Sequence, residues 1–208
     1  GNLWLSTNQG LSKFHPDDDI INNYDMSDGL GSNQFSYDAA MKSGNGRYYF
    51  GSINGFTVFQ PARIRKNPYE PPVVITNFQI KNEPVPIGEP GSPLGEHISA
   101  EDQITLKHNQ NVFSFEFKAL SYAAPGKNRY RIKMEGFDEN WRDLGNRRFA
   151  SYTNLPPGTY TFRVKASNND GIWNQEGASV RVKILPPPWL TAWAFIGYGV
   201  IVLLILYG

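Results

Sequence analysis

The feature that most constrains this sequence is its C-terminal stretch, residues 189–208, which contains no Asp, Glu, Lys, Arg or His. As a helix rising about 1.5 Å per residue, it would measure roughly 30 Å, the thickness of the hydrocarbon core of a bilayer. Trp189, Trp193 and Tyr207 lie near its ends, where amphipathic rings favour the membrane interface. A buried core helix rarely stays apolar on every face, and a signal peptide would lie at the other terminus. The stretch therefore predicts a transmembrane helix over residues 188–208, with the preceding residues on one side of the membrane and the chain a piece of a longer protein.

Charge and cysteine content exclude several classes of function. The 20 basic and 19 acidic residues give a net charge of +1, which provides no overall attraction for nucleic acid. The absence of cysteine removes disulfides, thiol catalysis and thiolate metal sites. Aromatic residues make up 14% of the chain, which also has 20 Gly and 15 Pro. Many rings with many turn formers predict an all-β protein of short strands and tight turns.

An internal repeat occupies the first part of the chain. Residues 1–14 and 46–59 agree in residue class at nearly every position, 45 residues apart. Each copy has a glycine, a hydrophobic strand, a turn containing glycine and a second strand. A period near 45 with paired strands is typical of β-propeller blades. Residues 1–61 are therefore predicted to be the end of a propeller, its last blade or blades.

A proline-rich linker over residues 62–72 separates this region from a predicted β-sandwich over residues 73–187, because proline fixes φ and cannot donate to a β-ladder. Segments with a period of two residues predict seven strands, the number in an immunoglobulin-like or fibronectin-like sandwich. The predicted strands are 73–81, 103–106, 111–120, 129–135, 148–152, 159–166 and 179–185. The run Leu155-Pro156-Pro157-Gly158-Thr159-Tyr160 resembles the tyrosine corner of such domains, which gives Tyr160 a structural role.

Two groups of motifs resemble known families. The element Asp28-Gly29-Leu30-x-Ser32-Asn33, followed by the glycine and aromatic pattern of the repeat, is similar to the two-component regulator propeller repeat. The second group resembles the three-tyrosine (Y_Y_Y) domain, with Tyr130, Tyr152 and Tyr160 as its tyrosines. It consists of Tyr130-Arg131-Ile132-x-x-Glu135-Gly136-Phe137-Asp138-x-x-Trp141, residues 152–168, and Asp170-Gly171-x-Trp173-Asn174.

The resemblance implies the periplasmic sensor of a bacterial hybrid two-component histidine kinase. Residues 1–188 would be periplasmic, residues 189–208 would enter the inner membrane, and the kinase would lie elsewhere in the parent protein. An oligosaccharide or similar ligand would bind the propeller, and a homodimer formed through the sandwich would relay the signal to the helix. Three consecutive prolines would make a stiff coupler between sandwich and helix. The candidate structural or signal-relay residues are Tyr130, Trp141, Tyr152, Tyr160, Trp173, Pro186, Pro187 and Pro188.

An alternative function is a membrane-anchored carbohydrate-binding or hydrolytic protein, with the propeller holding the site and the sandwich as a spacer. Trp141 and Trp173 are then candidate sugar platforms, although packing explains both rings more simply.

No catalytic, cofactor or metal site is predicted in this segment. His15, His97 and His108 lack ligand spacing, and Asp17–Asp19 lack the closing Glu of a calcium loop. An Asx-turn accounts for Asn168-Asn169-Asp170-Gly171. The cations between Lys127 and Arg148 are interleaved with carboxylates, which favours a solvated face of mixed charge.

Overall fold

The computed structural model describes residues 1–190 and 192–207, whose regular secondary structure is mostly β-strand. The all-β class predicted from the sequence is confirmed. The chain divides into two compact units. The N-terminal unit comprises Gly1–Pro68 with Tyr122–Ala124, and the C-terminal unit comprises Tyr69–Ser121 with Pro125–Gly208.

Residues 1–68, all of them described, form two antiparallel sheets of three strands. The first sheet contains β1 (Leu3–Thr7), β2 (Gly10–His15) and β3 (Ile20–Tyr24) in that order. The second contains β4 (Phe35–Lys42), β5 (Tyr48–Ser52) and β6 (Gly55–Phe59), again in sequence order. The two copies of the predicted repeat are therefore the β1–β2 hairpin and the β5–β6 hairpin.

The two hairpins have the same register. At the turn, Thr7 pairs with Gly10 in the first hairpin and Ser52 pairs with Gly55 in the second, and every other pair of the first has its counterpart 45 positions later. The hydroxyl of Thr7 donates to the Gly10 carbonyl at 2.9 Å, and that of Ser52 donates to the Gly55 carbonyl at 3.2 Å. The sequence repeat is thus a repeat of local structure.

A small aromatic core joins the two sheets of the N-terminal unit. Leu11, Phe35 and Phe50 are buried, and the rings of Trp4 and Phe59 meet across the sheets with centroids 4.6 Å apart. Packing of one sheet against the next is what neighbouring blades require. A propeller blade commonly has four strands, whereas each of these sheets has three, and the propeller stays a prediction.

The C-terminal unit contributes nine strands over residues 69–190 and packs two sheets face to face. The strands are β7 (Val73–Ile80), β8 (Glu83–Pro84), β9 (Gln103–Leu106), β10 (Val112–Ala119), β11 (Arg129–Glu135), β12 (Arg142–Gly145), β13 (Phe149–Thr153), β14 (Gly158–Ser167) and β15 (Trp173–Ile184). One sheet has the order β13-β10-β7-β8 and the other has the order β12-β11-β14-β15-β9. All neighbouring strands are antiparallel except β9 and β15.

Each of the seven predicted strands is present, and the differences lie at edges and bulges. The short strands β8 and β12 were not predicted, and β15 begins at Trp173 rather than near Ser179. A bulge between Val164 and Ala166 of β14 interrupts the pairing with β15, so the apolar alternation of β15 becomes visible only beyond it.

The sandwich core comes from the inward-facing residues of both sheets. On β10, Phe113, Phe115 and Phe117 lie two residues apart on one face and are at most 1% exposed. Phe115 stacks on Phe162 of the facing sheet, with ring centroids 4.2 Å apart. Burying one such ring contributes about 1.5–3 kcal/mol. The predicted period of two residues therefore identifies the core face of these strands.

The C-terminal end differs from the single helix predicted over residues 188–208. Pro188–Leu190 form one 3-10 turn, in which the Leu190 amide donates to the Pro187 carbonyl. Helix α1 then spans Ala192–Tyr207, 16 residues or about 24 Å. Residues 191 and 208, which the prediction included, lie outside the described residues. Within residues 1–190 and 192–207, no helix has the length and apolar character that crossing a membrane requires.

Candidate functional site

The three tyrosines of the predicted motif lie in one core. Tyr130 on β11, Tyr152 on β13 and Tyr160 on β14 all face the interior of the sandwich and are 1%, 3% and 8% exposed. A buried phenol is stabilised by a hydrogen-bond partner for its hydroxyl, since a buried polar atom with no partner costs about 1–3 kcal/mol. Each tyrosine meets this need differently.

Tyr130 joins the two sheets. Its hydroxyl accepts a hydrogen bond from the backbone amide of Ala119, the last residue of β10, at 3.1 Å. Its ring packs on Phe117 with centroids 5.4 Å apart. Because β11 and β10 belong to different sheets, this hydroxyl fixes the end of one sheet to the other.

Tyr160 forms the corner predicted from the sequence around it. Its hydroxyl donates to the Pro156 carbonyl four residues earlier, at 2.9 Å. Gly136 makes room for the ring, because a Cβ at this position, where φ is +90°, would lie 3.2 Å from Cδ1 of Tyr160. The turn after β11 therefore packs directly against the corner.

Tyr152 binds a carboxylate within the same turn. Its hydroxyl donates to Oδ2 of Asp138 at 3.0 Å, and this oxygen also accepts from the backbone amide of Met134 at 2.7 Å. Arg142 lies over the ring at 5.7 Å. Burial, followed by the negative charge of Asp138, raises the pKa of Tyr152 above its usual value. The sequence places Asp138 in the motif but does not reveal it as the partner of Tyr152.

Trp141 and Trp173 each carry a cation over one ring face. Lys165 Nζ lies 4.8 Å from the Trp141 centroid, and the Arg131 guanidinium lies 4.6 Å from that of Trp173. Arg131 also pairs with Asp143 at 3.3 Å. The Gly145 backbone amide and the Arg131 side chain, both bonded to Asp143, lower the pKa of its carboxyl. A sugar stacking on either ring must displace the cation or use the opposite face, so this geometry does not favour the sugar-platform hypothesis.

The chain leaves the sandwich through a well-anchored junction. The Leu185 amide, one residue beyond β15, donates to the carbonyl of Leu106 at the end of β9, at 2.9 Å. Pro186 and Pro187 follow, and Pro188 opens the 3-10 turn. The ring of Trp189 meets His108 edge-on, with centroids 5.3 Å apart. The predicted coupler therefore lies between two anchored points of the chain.

The remaining candidates bring together no chemical site among the described residues. No group of three His, Asp or Glu side chains converges there as a metal site would require. His97 Nδ1 bonds the Ser99 hydroxyl at 2.8 Å. Asn168 Oδ1 accepts from the Asp170 amide at 2.9 Å, the geometry of the predicted Asx-turn. A shallow cleft of about 440 Å³ beside β7 and β8 is lined by prolines and by side chains of both charges.

Comparison with known proteins gives the sandwich and the chain a context. The Y_Y_Y domain family matches residues 121–185. Histidine kinase P4 of Formosa agariphila is 38% identical over 198 residues, an alignment that covers 95% of this chain and 14% of that protein. The chain therefore spans about one seventh of the length of this curated relative.

Two solved structures share the fold. The extracellular domain of BT3049 from B. thetaiotaomicron, classed as a hybrid two-component system, matches with a TM-score of 0.70 and 32% identity, over 89% of this chain and 25% of that one. The extracellular domain of BT4673 from the same organism matches with a TM-score of 0.52 and 24% identity, over 89% of this chain and 24% of that one, and shows the fold alone. Residues 121–185 thus match the Y_Y_Y domain family, and the chain is similar to a segment of a histidine kinase and to the extracellular domain of a hybrid two-component system.

Proposed function

We propose that this chain is the extracytoplasmic, signal-transmitting segment of a membrane-bound hybrid two-component sensor kinase in a bacterial inner membrane. Residues 1–188 lie on the periplasmic side, residues 189–208 connect them to the membrane, and the parent protein carries the kinase. The sensor relatives and the Y_Y_Y match support this assignment.

The junction after β15 is the observation that supports the relay most directly. The final strand of the sandwich is bonded through Leu185 to β9, and only Pro186 and Pro187 separate it from the turn that precedes α1. Successive prolines adopt an extended helix with a rise of about 3.1 Å per residue and little flexibility. A displacement of β15 therefore reaches the helix with little slack.

The input is proposed to be an oligosaccharide bound at the propeller, and the relaying unit is proposed to be a homodimer formed through the sandwich. Both parts rest on the family resemblance. A ligand that alters the dimer can change output only by binding one arrangement more tightly than the other.

The test replaces Pro186–Pro188 by Gly-Ser-Gly in the full-length parent protein. A library of purified short oligosaccharides, applied one at a time to a transcriptional reporter strain, identifies an activating probe. We expect the variant to bind this probe with unchanged affinity but to lose most of its induction, because a flexible linker absorbs the movement. Wild type and variant should both sediment as dimers.

Pro16→Ser is the control, because Pro16 lies in the turn between β2 and β3 of the N-terminal unit, outside the sandwich and its C-terminal junction. This control should signal like the wild type. Full induction of the Gly-Ser-Gly variant would disprove the stiff coupler, and a monomeric wild-type sensor region with and without probe would disprove the dimer. A wild type that no oligosaccharide activates would contradict the proposed ligand class.

A further inference from the structure

The segment that enters the sandwich from the linker cannot be held as an ordinary β-strand. This entry segment, Tyr69–Pro72, ends in Pro71 and Pro72, which have no backbone N–H to donate to a neighbouring strand. The backbone of Pro71 and Pro72 can therefore be hydrogen-bonded to the sandwich only through carbonyl oxygens, which need donors from elsewhere.

Two asparagine side chains supply such donors. Asn168 Nδ2 donates to the carbonyl of Tyr69 at 2.8 Å, and Asn174 Nδ2 donates to the carbonyl of Pro71 at 3.1 Å. The Leu120 amide donates to the carbonyl of Pro72 at 2.8 Å. Asn168 lies in the connection between β14 and β15, and Asn174 is the second residue of β15. Both lie about a hundred positions along the chain from the carbonyls that they bind.

Each amide is held in its orientation by its own oxygen. Asn168 is 1% exposed, and its Oδ1 accepts from the backbone amides of Asp170 and Ile172 at 2.9 and 3.0 Å. Asn174 Oδ1 accepts from the Gly177 amide at 2.9 Å. Because the oxygen of each side chain is already bound, its nitrogen is directed at the entry segment without further ordering cost.

The strand that carries Asn174 also carries the chain out of the sandwich. β15 runs from Trp173 to Ile184, 12 residues or about 40 Å. One end holds the entry segment through Asn174, and the other leads to the Leu185–Leu106 bond and the prolines. A single extended strand thus connects the point where the linker enters to the point where the helix leaves.

We propose that Asn168 and Asn174 are positioning residues that transfer movement of the entry segment to β15 and so to the C-terminal junction. The proposal rests on the proposed function, because it specifies the path by which the sensor segment relays its signal.

Asn174→Asp is the decisive change, because a carboxylate keeps the acceptor for the Gly177 amide and loses the donor for the Pro71 carbonyl. The same change at Asn168 would bury a charge and test folding instead. Asn146→Asp is the matched control, since Asn146 Nδ2 also donates to a backbone carbonyl, that of Gly126 at 3.4 Å, outside the entry segment.

The first measurement is the distance distribution between two nitroxide labels attached to cysteines introduced by Glu70→Cys and Lys183→Cys. Labelling is specific to these two positions because the natural chain has no cysteine. We expect Asn174→Asp to broaden this distribution and Asn146→Asp to leave it unchanged.

The second measurement is reporter induction by the activating oligosaccharide in the full-length protein. Asn174→Asp should lower induction about fivefold or more while the affinity for the probe stays unchanged. A fivefold change is at the lower end of what coupling between two sites typically produces.

An unchanged distance distribution in Asn174→Asp would overturn the proposal, and so would a broadened distribution with full induction. Failure of the wild type to respond to any oligosaccharide would instead count against the proposed ligand class, and the label distances would then decide the positioning role alone. If Asn174→Asp does not fold, Asn174→Ala is measured in the same way, with the same two outcomes deciding.

Discussion

At the scale of single residues, the three tyrosines act through their hydroxyls as much as through their rings. Tyr130 accepts from a backbone amide of the facing sheet, Tyr160 donates to a backbone carbonyl four residues away, and Tyr152 donates to a carboxylate. The three bonds fix three different places: the contact between the sheets, the corner before β14 and the turn after β11. Each tyrosine therefore holds a separate part of one core.

Tyr152→Phe should destabilise the C-terminal unit by roughly 1–3 kcal/mol, because it removes a hydrogen bond to a largely buried carboxylate. The loss should depend on pH. The folded state raises the pKa of Tyr152 above the unfolded value of about 10, so its contribution is complete below pH 10 and declines as the pH rises beyond that value. Urea unfolding of wild type and variant at neutral pH and at pH 10–11 measures both effects.

Tyr122→Phe serves as the control for this prediction, because Tyr122 is 79% exposed. Its unfolding free energy should match that of the wild type at both pH values. A stability difference between wild type and Tyr152→Phe that is equally large at neutral and alkaline pH would show that ionisation of Tyr152 does not act on the fold.

The sequence could predict single-residue roles only where the partner is close along the chain. The Tyr160 corner follows from Pro156, Pro157 and Gly158, which immediately precede it, and the Asx-turn follows from four consecutive residues. The donors for the entry segment could not be predicted, since Asn168 and Asn174 bind carbonyls 99 and 103 positions away. Hydrophobic periodicity carries no information about such polar pairs.

At the scale of the elements, the bulge opposite the start of β15 determines how that strand pairs. Gly177 has a φ of +68°, and a Cβ at this position would lie 2.1 Å from the carbonyl oxygen of Val164. Close approach of the two backbones therefore requires glycine here. The bulge lets Asn174 and Trp173 face their partners while the rest of β15 keeps its alternation.

Gly177→Ala should cost at least about 3 kcal/mol, because the new methyl group forces two backbones apart in addition to occupying a positive φ. Gly171→Ala is the matched control. Gly171 also has a positive φ, +80°, but a Cβ there meets nothing within 4 Å, so the expected cost is about 1 kcal/mol. Thermal unfolding of both variants compares the two costs, and equal losses would show that the close contact with Val164 can relax.

Prediction of the elements succeeded where a pattern repeats and failed where a pattern is broken. The two hairpins 45 residues apart and the seven sandwich strands all appear, because alternation or repetition marks them. The first part of β15 was missed because the bulge hides its alternation, and β12 because its only large apolar residue is Leu144 and its burial does not alternate. The C-terminal apolar run was predicted as one helix, but proline places a 3-10 turn at its start.

At the scale of the whole molecule, the two units differ in how much apolar surface each buries. Among the described residues, the sandwich core contains 24 buried residues and the core of the N-terminal unit contains three. Large apolar side chains of the N-terminal unit stay exposed, among them Ile53 at 67% and Phe56 at 72%. A sheet that buries so little requires further neighbours to be stable, as propeller blades do.

Residues 69–187 expressed alone should therefore fold, whereas residues 1–68 alone should not. A sandwich of this size buries enough apolar surface to offset the entropy lost on folding, whereas a single core below roughly 70–80 residues rarely contributes more than about 3–5 kcal/mol. Far-ultraviolet circular dichroism during heating should show one cooperative transition for residues 69–187 and none for residues 1–68.

The polypeptide of residues 69–187 includes the entry segment. A second version of the sandwich that begins at Val73 should melt at a lower temperature, because it lacks the carbonyls that Asn168, Asn174 and Leu120 bind. Cooperative unfolding of residues 1–68 would show that the small aromatic core is sufficient by itself, and equal melting temperatures for the two sandwich versions would show that the entry segment adds nothing to the stability of the fold.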